Sequence, residues 1–153
     1  MLNDGVSVER FIPASPAAVF AVLSDPSRHR EIDGSGTVRD AVDGPAQLAM
    51  GSRFGMRMKA GAPYTMVNEV VEFEQDRRIA WQARPDVEWA TRLIGGRIWR
   101  YELEPQPGTG GGTLVRETWD ISQERVPALV WGLRGLTRKA MERTMDRLTQ
   151  VVA

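Results

Sequence analysis

The chain has 153 residues, enough for one domain with a sizeable core, and 20 basic residues balance 20 acidic ones to a formal net charge of zero. That balance withholds the broad attraction on which nucleic-acid binding and adhesion to anionic membranes rely, and it favours small neutral partners. Cysteine is absent and histidine occurs once, which excludes a disulfide framework and leaves too few ligands for a typical transition-metal site.

The opening MLNDGVSVERF carries an acid early and lacks the basic and apolar stretches of a signal peptide. No later run reaches the roughly eighteen apolar residues of a membrane span. A single cytoplasmic domain over residues 1–153, without stable membrane insertion, is expected.

Between Gly5 and Ile12 the order GVSVERFI alternates and predicts a first strand. Ser15 followed by Pro16 is a helix start, and Val19, Phe20, Val22 and Leu23 give that helix an apolar stripe to about Ser24. Asp25-Pro26 repeats the signal, so a second short helix is expected from Ser27 to about Ile32, stopped at Asp33-Gly34. Six strand-like segments follow: TVRDAV, SRFGMRMKA, PYTMVNEVVEFE, RRIAWQAR, GGRIWRYELEP and TLVRETWDIS. Their short connections suit an antiparallel meander. The glycine-rich GTGGG near residue 110 leads into a strand, so it reads as a hairpin end and not as a phosphate cradle, which needs a helix to follow.

Alternation assigns faces to these strands. Trp99, Tyr101 and Leu103 share one side, as do Val115, Glu117 and Trp119, Ile79, Trp81 and Ala83, and Phe54, Met56 and Met58. Arg53, Arg57, Arg97, Arg100 and Arg116 are expected mainly on the opposite, solvated side. A sheet wet on one face must cover the other. The cover is predicted to be a long C-terminal amphipathic helix on which Leu129, Leu133, Leu136, Ala140, Thr144, Leu148 and Val151 recur, joined by Met141, Met145 and Val152. Pro127, Gly132 and Gly135 predict an irregular or kinked beginning to it.

The order strand, two short helices, six antiparallel strands and long terminal helix resembles the START-like (SRPBCC) superfamily, which includes polyketide cyclase/dehydrase-type domains. Three phrases are similar to actinobacterial members: the opening VERFIPASPAAVFAVLSDPSRHREIDGSG, the strand WRYELEP, and TLVRETWD running into the last helix. Ile32 departs from the aromatic residue that similar sequences often carry there, so no aromatic contact is transferred to it. The resemblance covers the whole chain and implies an α+β helix-grip fold, a seven-stranded curved antiparallel sheet wrapped around the C-terminal helix.

Such a wrap leaves space beside the helix for a cavity of a few hundred Å³ by the usual scale of ligand pockets. Its expected lining is Phe54, Met56, Met58, Val67, Glu69, Val71, Trp81, Trp99, Tyr101, Glu117 and Trp119, with Leu133, Leu136, Ala140 and Met141 from the helix. Glu117, between two apolar neighbours, either orients a ligand or moves protons, or else bonds a neighbour such as Tyr101. Glu69 carries the same argument more weakly, because NEVVEF reads in either register. His29 is the one histidine for acid–base work, against the plainer reading of an exposed or helix-edge residue. Trp81, Trp99 and Trp119 singly read as core, but together they read as a pocket wall. Trp89 and Trp131 suit a pocket mouth or a homodimer contact.

The sequence therefore favours binding of a hydrophobic small molecule (a lipid, polyketide or aromatic metabolite) in a carrier or sequestering role, without a cofactor. The alternative is a cofactor-independent cyclase, aromatase or dehydratase that moves protons with Glu117, Tyr101 or His29. A third reading is a protein-interaction module using Trp89, Trp131 and the basic helix face.

Overall fold

The alternating segments pair into one antiparallel sheet in the computed structural model of the chain, which describes residues 5–87, 89–92 and 95–152. The strands are β1 (Val6–Ile12), β2 (Val38–Val42), β3 (Arg53–Ala60), β4 (Ala62–Glu74), β5 (Arg78–Pro85), β6 (Arg97–Gln106) and β7 (Gly112–Asp120). Their spatial order is β1-β7-β6-β5-β4-β3-β2, so β2 to β7 form a meander and β1 closes against β7. The helices are α1 (Pro16–Leu23), α2 (His29–Ile32), α3 (Pro127–Trp131) and α4 (Arg134–Val152), with a 3₁₀ turn at Pro26–Arg28 running directly into α2. This is the expected helix-grip arrangement. Among the described residues no helix is long and apolar enough to cross a membrane.

Local chemistry sets both early starts. Ser15 Oγ accepts from Ala18 N at 3.1 Å and Asp25 Oδ1 accepts from Ser27 N at 3.0 Å, each immediately before a proline whose missing N–H costs nothing there. The core lies between the concave face of the sheet, α1 and α4. It buries Val19, Phe20, Val22 and Leu23 of α1 against Val6, Val8, Ile12, Ile79, Leu103 and Val115 of the sheet and Met141, Met145 and Leu148 of α4. Each such side chain removed from water contributes about 1.5–3 kcal/mol.

The two ends of α4 are held very differently. From Ala140 onward it is clamped: Arg10 pairs with Glu142 at 3.1 Å and Asp146 at 2.7 Å, Gly34 N donates to Thr144 Oγ1 at 3.0 Å, and Arg143 Nε donates to Gly34 O at 2.8 Å. Gly34 fits there because a Cβ would lie 2.1 Å from Ala140 O. Toward the N-terminal side, Leu133 and Leu136 are 45% and 69% exposed, and Leu129 of α3 is 53% exposed. These three were expected to face inward and do not. A series spaced at four residues drifts about 40° around a helix per step, so the stripe that buries Met141, Met145 and Leu148 has rotated away from Leu136. The expected irregularity is present as the break between α3 and α4 at Gly132-Leu133.

A second correction concerns β4. Asn68 and Val70 are its buried residues, and the register slips between Val70 and Glu72 before Phe73 returns opposite Ile79 on the core side. Val67 and Glu69 therefore fall on the outer face, where Glu69 pairs with Arg53 at 3.1 Å, and Val71 occupies the bulge. Elsewhere on that face Arg100 pairs with Glu72 (2.7 Å) and Asp120 (3.4 Å), Arg78 with Glu102 (2.9 Å), and Arg116 with Glu9 (2.8 Å).

Candidate functional site

Cross-strand register assembles the concave face in rows. One row runs Val70–Trp81–Trp99–Trp119–Val6 across β4, β5, β6, β7 and β1, and the next runs Phe73–Ile79–Tyr101–Glu117–Val8. The three tryptophans thus share a single line across the sheet. Trp81 and Trp119 are buried and Trp99 is half-buried, with the Trp99 and Trp119 ring centroids 6.3 Å apart. Trp81 also lies 5.7 Å from Tyr101 and 5.9 Å from Phe54.

His29 closes over this wall. Its ring stacks on Trp81 at 4.8 Å with an interplanar angle of 19°, and Nε2 donates to Leu23 O at 2.8 Å, which fixes the tautomer carrying the proton on Nε2. An exposed or helix-edge position was expected, but the ring is buried. The cause is the 3₁₀ turn: Pro26, His29 and Ile32 recur every three residues, and all three are buried. Loss of hydration lowers the His29 pKa below its ordinary value, against the opposing bond to Leu23 O.

Glu117 is 2% exposed. Tyr101 Oη donates to its Oε2 at 2.7 Å, so the structural partner anticipated from the sequence is in place. Burial raises the Glu117 pKa to about 8, the Tyr101 bond opposes the shift, and the charges of Asp33 and Glu142 add to it. At neutral pH this side chain is mostly a neutral carboxylic acid. Burial, followed by the neighbouring Glu117, pushes the Tyr101 phenol well above its usual range. Two polar atoms of this cluster, Glu117 Oε1 and Trp119 Nε1, are buried without a hydrogen-bond partner among the described residues. Residues 117 and 119 of one strand face the same side, so both unmet positions belong to the concave wall.

Of the other expected lining residues, Phe54 and Met56 are buried, Met58 packs on the core, Met141 is buried and Ala140 is half-buried. Leu133, Leu136, Val67, Glu69 and Val71 do not join them. Reading the sequence missed Asn68, buried on the concave face, and Asp33, whose charge acts on both Tyr101 and Glu117. Asn68 was detectable, since it alternates with Val70. Asp33 was not, because nothing local links the end of α2 to β6 and β7.

Clefts open at the surface among the described residues. One of about 320 Å³ lies between the Pro26 turn and the β2–β3 connection and is bordered by Asp25, Ser27, Val42, Gln47 and Phe54. Another of about 260 Å³ is bordered by Glu9, Arg78, Glu102 and Arg116. Phe54 is the one expected lining residue that either touches. Neither is the cavity expected beside the C-terminal helix: among the described residues the concave wall is packed ring against ring, with Trp81 4.8 Å from His29 and 5.7 Å from Tyr101, so the wrap leaves less room than its outline implied. Among the described residues no group of three His, Cys, Asp or Glu side chains is placed to hold a metal ion.

Comparison with known proteins adds a family and a fold. The profile of the family described as "Polyketide cyclase / dehydrase and lipid transport" matches residues 4–153. The uncharacterized protein Rv0088 of Mycobacterium tuberculosis is 42% identical over 109 residues, covering 70% of this chain and 43% of that protein. The uncharacterized protein MT0096, from another strain of the same species, is 39% identical over the same length. Less than half the length of these relatives is therefore spanned. Among solved structures, protein CV1439 from Chromobacterium violaceum superposes with a TM-score of 0.69 at 18% identity, covering 99% of this chain and 98% of that one. A protein from Arthrobacter aurescens gives 0.73 at 13% identity, covering 98% and 86%. At those identities the structural likeness concerns the fold.

Proposed function

The chain belongs to the polyketide cyclase / dehydrase and lipid transport family, and from that premise we propose that it binds a neutral hydrophobic small molecule between the tryptophan wall and α4, as a cytoplasmic carrier or sequestering protein. One observation carries the reading: Glu117 Oε1 and Trp119 Nε1 are buried on the concave wall with no partner among the described residues. An unmet buried polar group costs about 1–3 kcal/mol. A neutral Glu117 has an O–H to donate and the indole always has its N–H, so both positions call for acceptor oxygens on a guest. A lipid, polyketide or aromatic metabolite bearing carbonyl or hydroxyl oxygens supplies them, while its carbon skeleton lies on Trp81, Trp99 and Phe54. Admission requires the packed wall to part, and the side with the most exposed apolar surface is α3 with the first turns of α4, where Leu133 and Leu136 face water, a Cβ on Gly135 would meet nothing within 4 Å, and Val130 and the bond from Arg138 to Ser7 O are the contacts that opening would break.

Native mass spectrometry of protein purified from its own host tests this reading. A bound small molecule, lost or weakened in Trp119→Phe, is expected. Protein that carries nothing and whose tryptophan fluorescence is unmoved by neutral polycyclic ketones or by long-chain lipids overturns it.

A second reading, proton transfer by a cyclase, aromatase or dehydratase in the same interior, is favoured by the Tyr101–Glu117 pair, an acid with a pKa of about 8 held by a phenol. Glu117→Gln separates the two. Turnover of a polyketone substrate that disappears while binding persists supports catalysis, and an unchanged product profile counts against it.

A further inference from the structure

We propose that α3 and the first turns of α4 form a peripheral docking surface for anionic lipid bilayers. Large apolar side chains stand in water along this segment: Leu129 on α3, Leu133 in the break and Leu136 on α4, with the partly exposed Trp131 beside them. Isolated exposed apolar residues need no explanation, but four of them within eight residues of chain mark an interaction surface. Its chemistry selects the partner. From Arg125 to Met141 the chain has four cations, Arg125, Arg134, Arg138 and Lys139, and no anion. Arg125 and Lys139 are exposed and make no ion pair among the described residues, and Arg134 lies 4.1 Å over the Trp131 ring.

An apolar row edged by cations and an amphipathic indole suits the plane between headgroups and acyl chains, where leucines enter hydrocarbon and ammonium and guanidinium groups meet phosphates. A protein partner would have to present a separate acidic rim around an apolar groove, whereas an anionic bilayer presents both together. The formal neutrality of the whole chain does not oppose this, because the acids that balance these cations lie elsewhere in the sequence and several are bound in ion pairs on the outer face of the sheet. The surface lies on the exterior, so it stands or falls separately from any ligand inside.

The test is co-sedimentation of the full chain with vesicles of phosphatidylcholine alone and of phosphatidylcholine mixed with phosphatidylglycerol. Binding to the mixed vesicles, little to the neutral ones, and release as salt is raised are expected. Leu133→Glu with Leu136→Glu should lower binding more than about tenfold, since it removes the inserting carbons. Lys139→Gln should lower it by about fivefold, the usual effect of one cation near an anionic surface. Both alter exposed side chains, and unchanged circular dichroism confirms folding. Absence of binding to mixed vesicles, or equal binding by the double leucine variant, overturns the proposal. So does a concentration-dependent dimer that the same variant abolishes, which would make the row a contact between two copies.

Discussion

Tyr101 and Glu117 stand opposite each other on β6 and β7, joined by a 2.7 Å hydrogen bond in a setting closed to water. Tyr101→Phe leaves Glu117 with both oxygens unmet, and the expected loss is about 1–3 kcal/mol in urea unfolding at pH 6. Combined with Glu117→Gln, the two losses should fail to add, because each variant breaks the same bond. Additive losses would mean that the two side chains act independently.

The same carboxyl makes stability depend on pH with a defined sign. Its pKa is about 8 folded against 4.5 for an ordinary glutamate. Below pH 4.5 both states hold the proton. Between these values the unfolded chain ionises first, so stability falls as pH rises, and above about 8 this group adds no further slope. The span corresponds to a loss on the order of 5 kcal/mol. Glu117→Gln should therefore gain in Tm over the wild type as pH goes from 5 to 9. A constant difference would show that the carboxyl ionises normally in the folded state.

His29 acts in the opposite direction. Burial depresses its pKa below the ordinary 6.5, so its neutral form stabilises the fold fully above pH 6.5, and that contribution is lost as pH falls and the unfolded chain takes up the proton first. Because Glu117 titrates across the same range, the measurement belongs in the Glu117→Gln background. There, unfolding free energy should decline from pH 7 to pH 5, and His29→Phe, which keeps an aromatic ring on Trp81, should remove that decline. A decline that survives the substitution would assign the proton to another group.

Gly34, just beyond α2, packs against the backbone of α4, and Ala at this position would put a methyl group into that backbone. Gly34→Ala should cost on the order of 3 kcal/mol or more, since backbone and not a movable side chain must yield. Thr144→Val, which removes the acceptor for the Gly34 amide and the hydroxyl's bond to Ala140 O but adds no bulk, should cost about 1 kcal/mol. Equal effects would show that the steric contact is unimportant. Chemical unfolding of both variants decides it.

Much of the architecture was legible because it is written in short-range chemistry. Ser15-Pro16 and Asp25-Pro26 announce their turns, and alternation put Trp81, Trp99, Trp119, Tyr101 and Glu117 on one face, where register then lines them up. Glu69 was misplaced because a bulge at Val71 shifts the register within β4, and alternation counts residues without seeing insertions. Leu136 was misplaced because a four-residue series rotates slowly around its helix, and Leu133 because it falls in the break before α4. His29 was misplaced because the segment from Pro26 to Ile32 is so short that its inward side comprises three residues, too few for a periodicity to show in sequence.

Glu124 has a mechanical consequence. Its side-chain oxygens accept from Gly95 N at 3.1 Å, Arg97 N at 2.8 Å and Arg97 Nε at 3.2 Å, and Gly96 packs against the backbone of Gln123. The segment leaving β7 is thereby riveted to the beginning of β6. Any outward swing of α3 would pivot just beyond this rivet, around residues 125 and 126, and would leave β7 in register, the floor of the interior staying fixed.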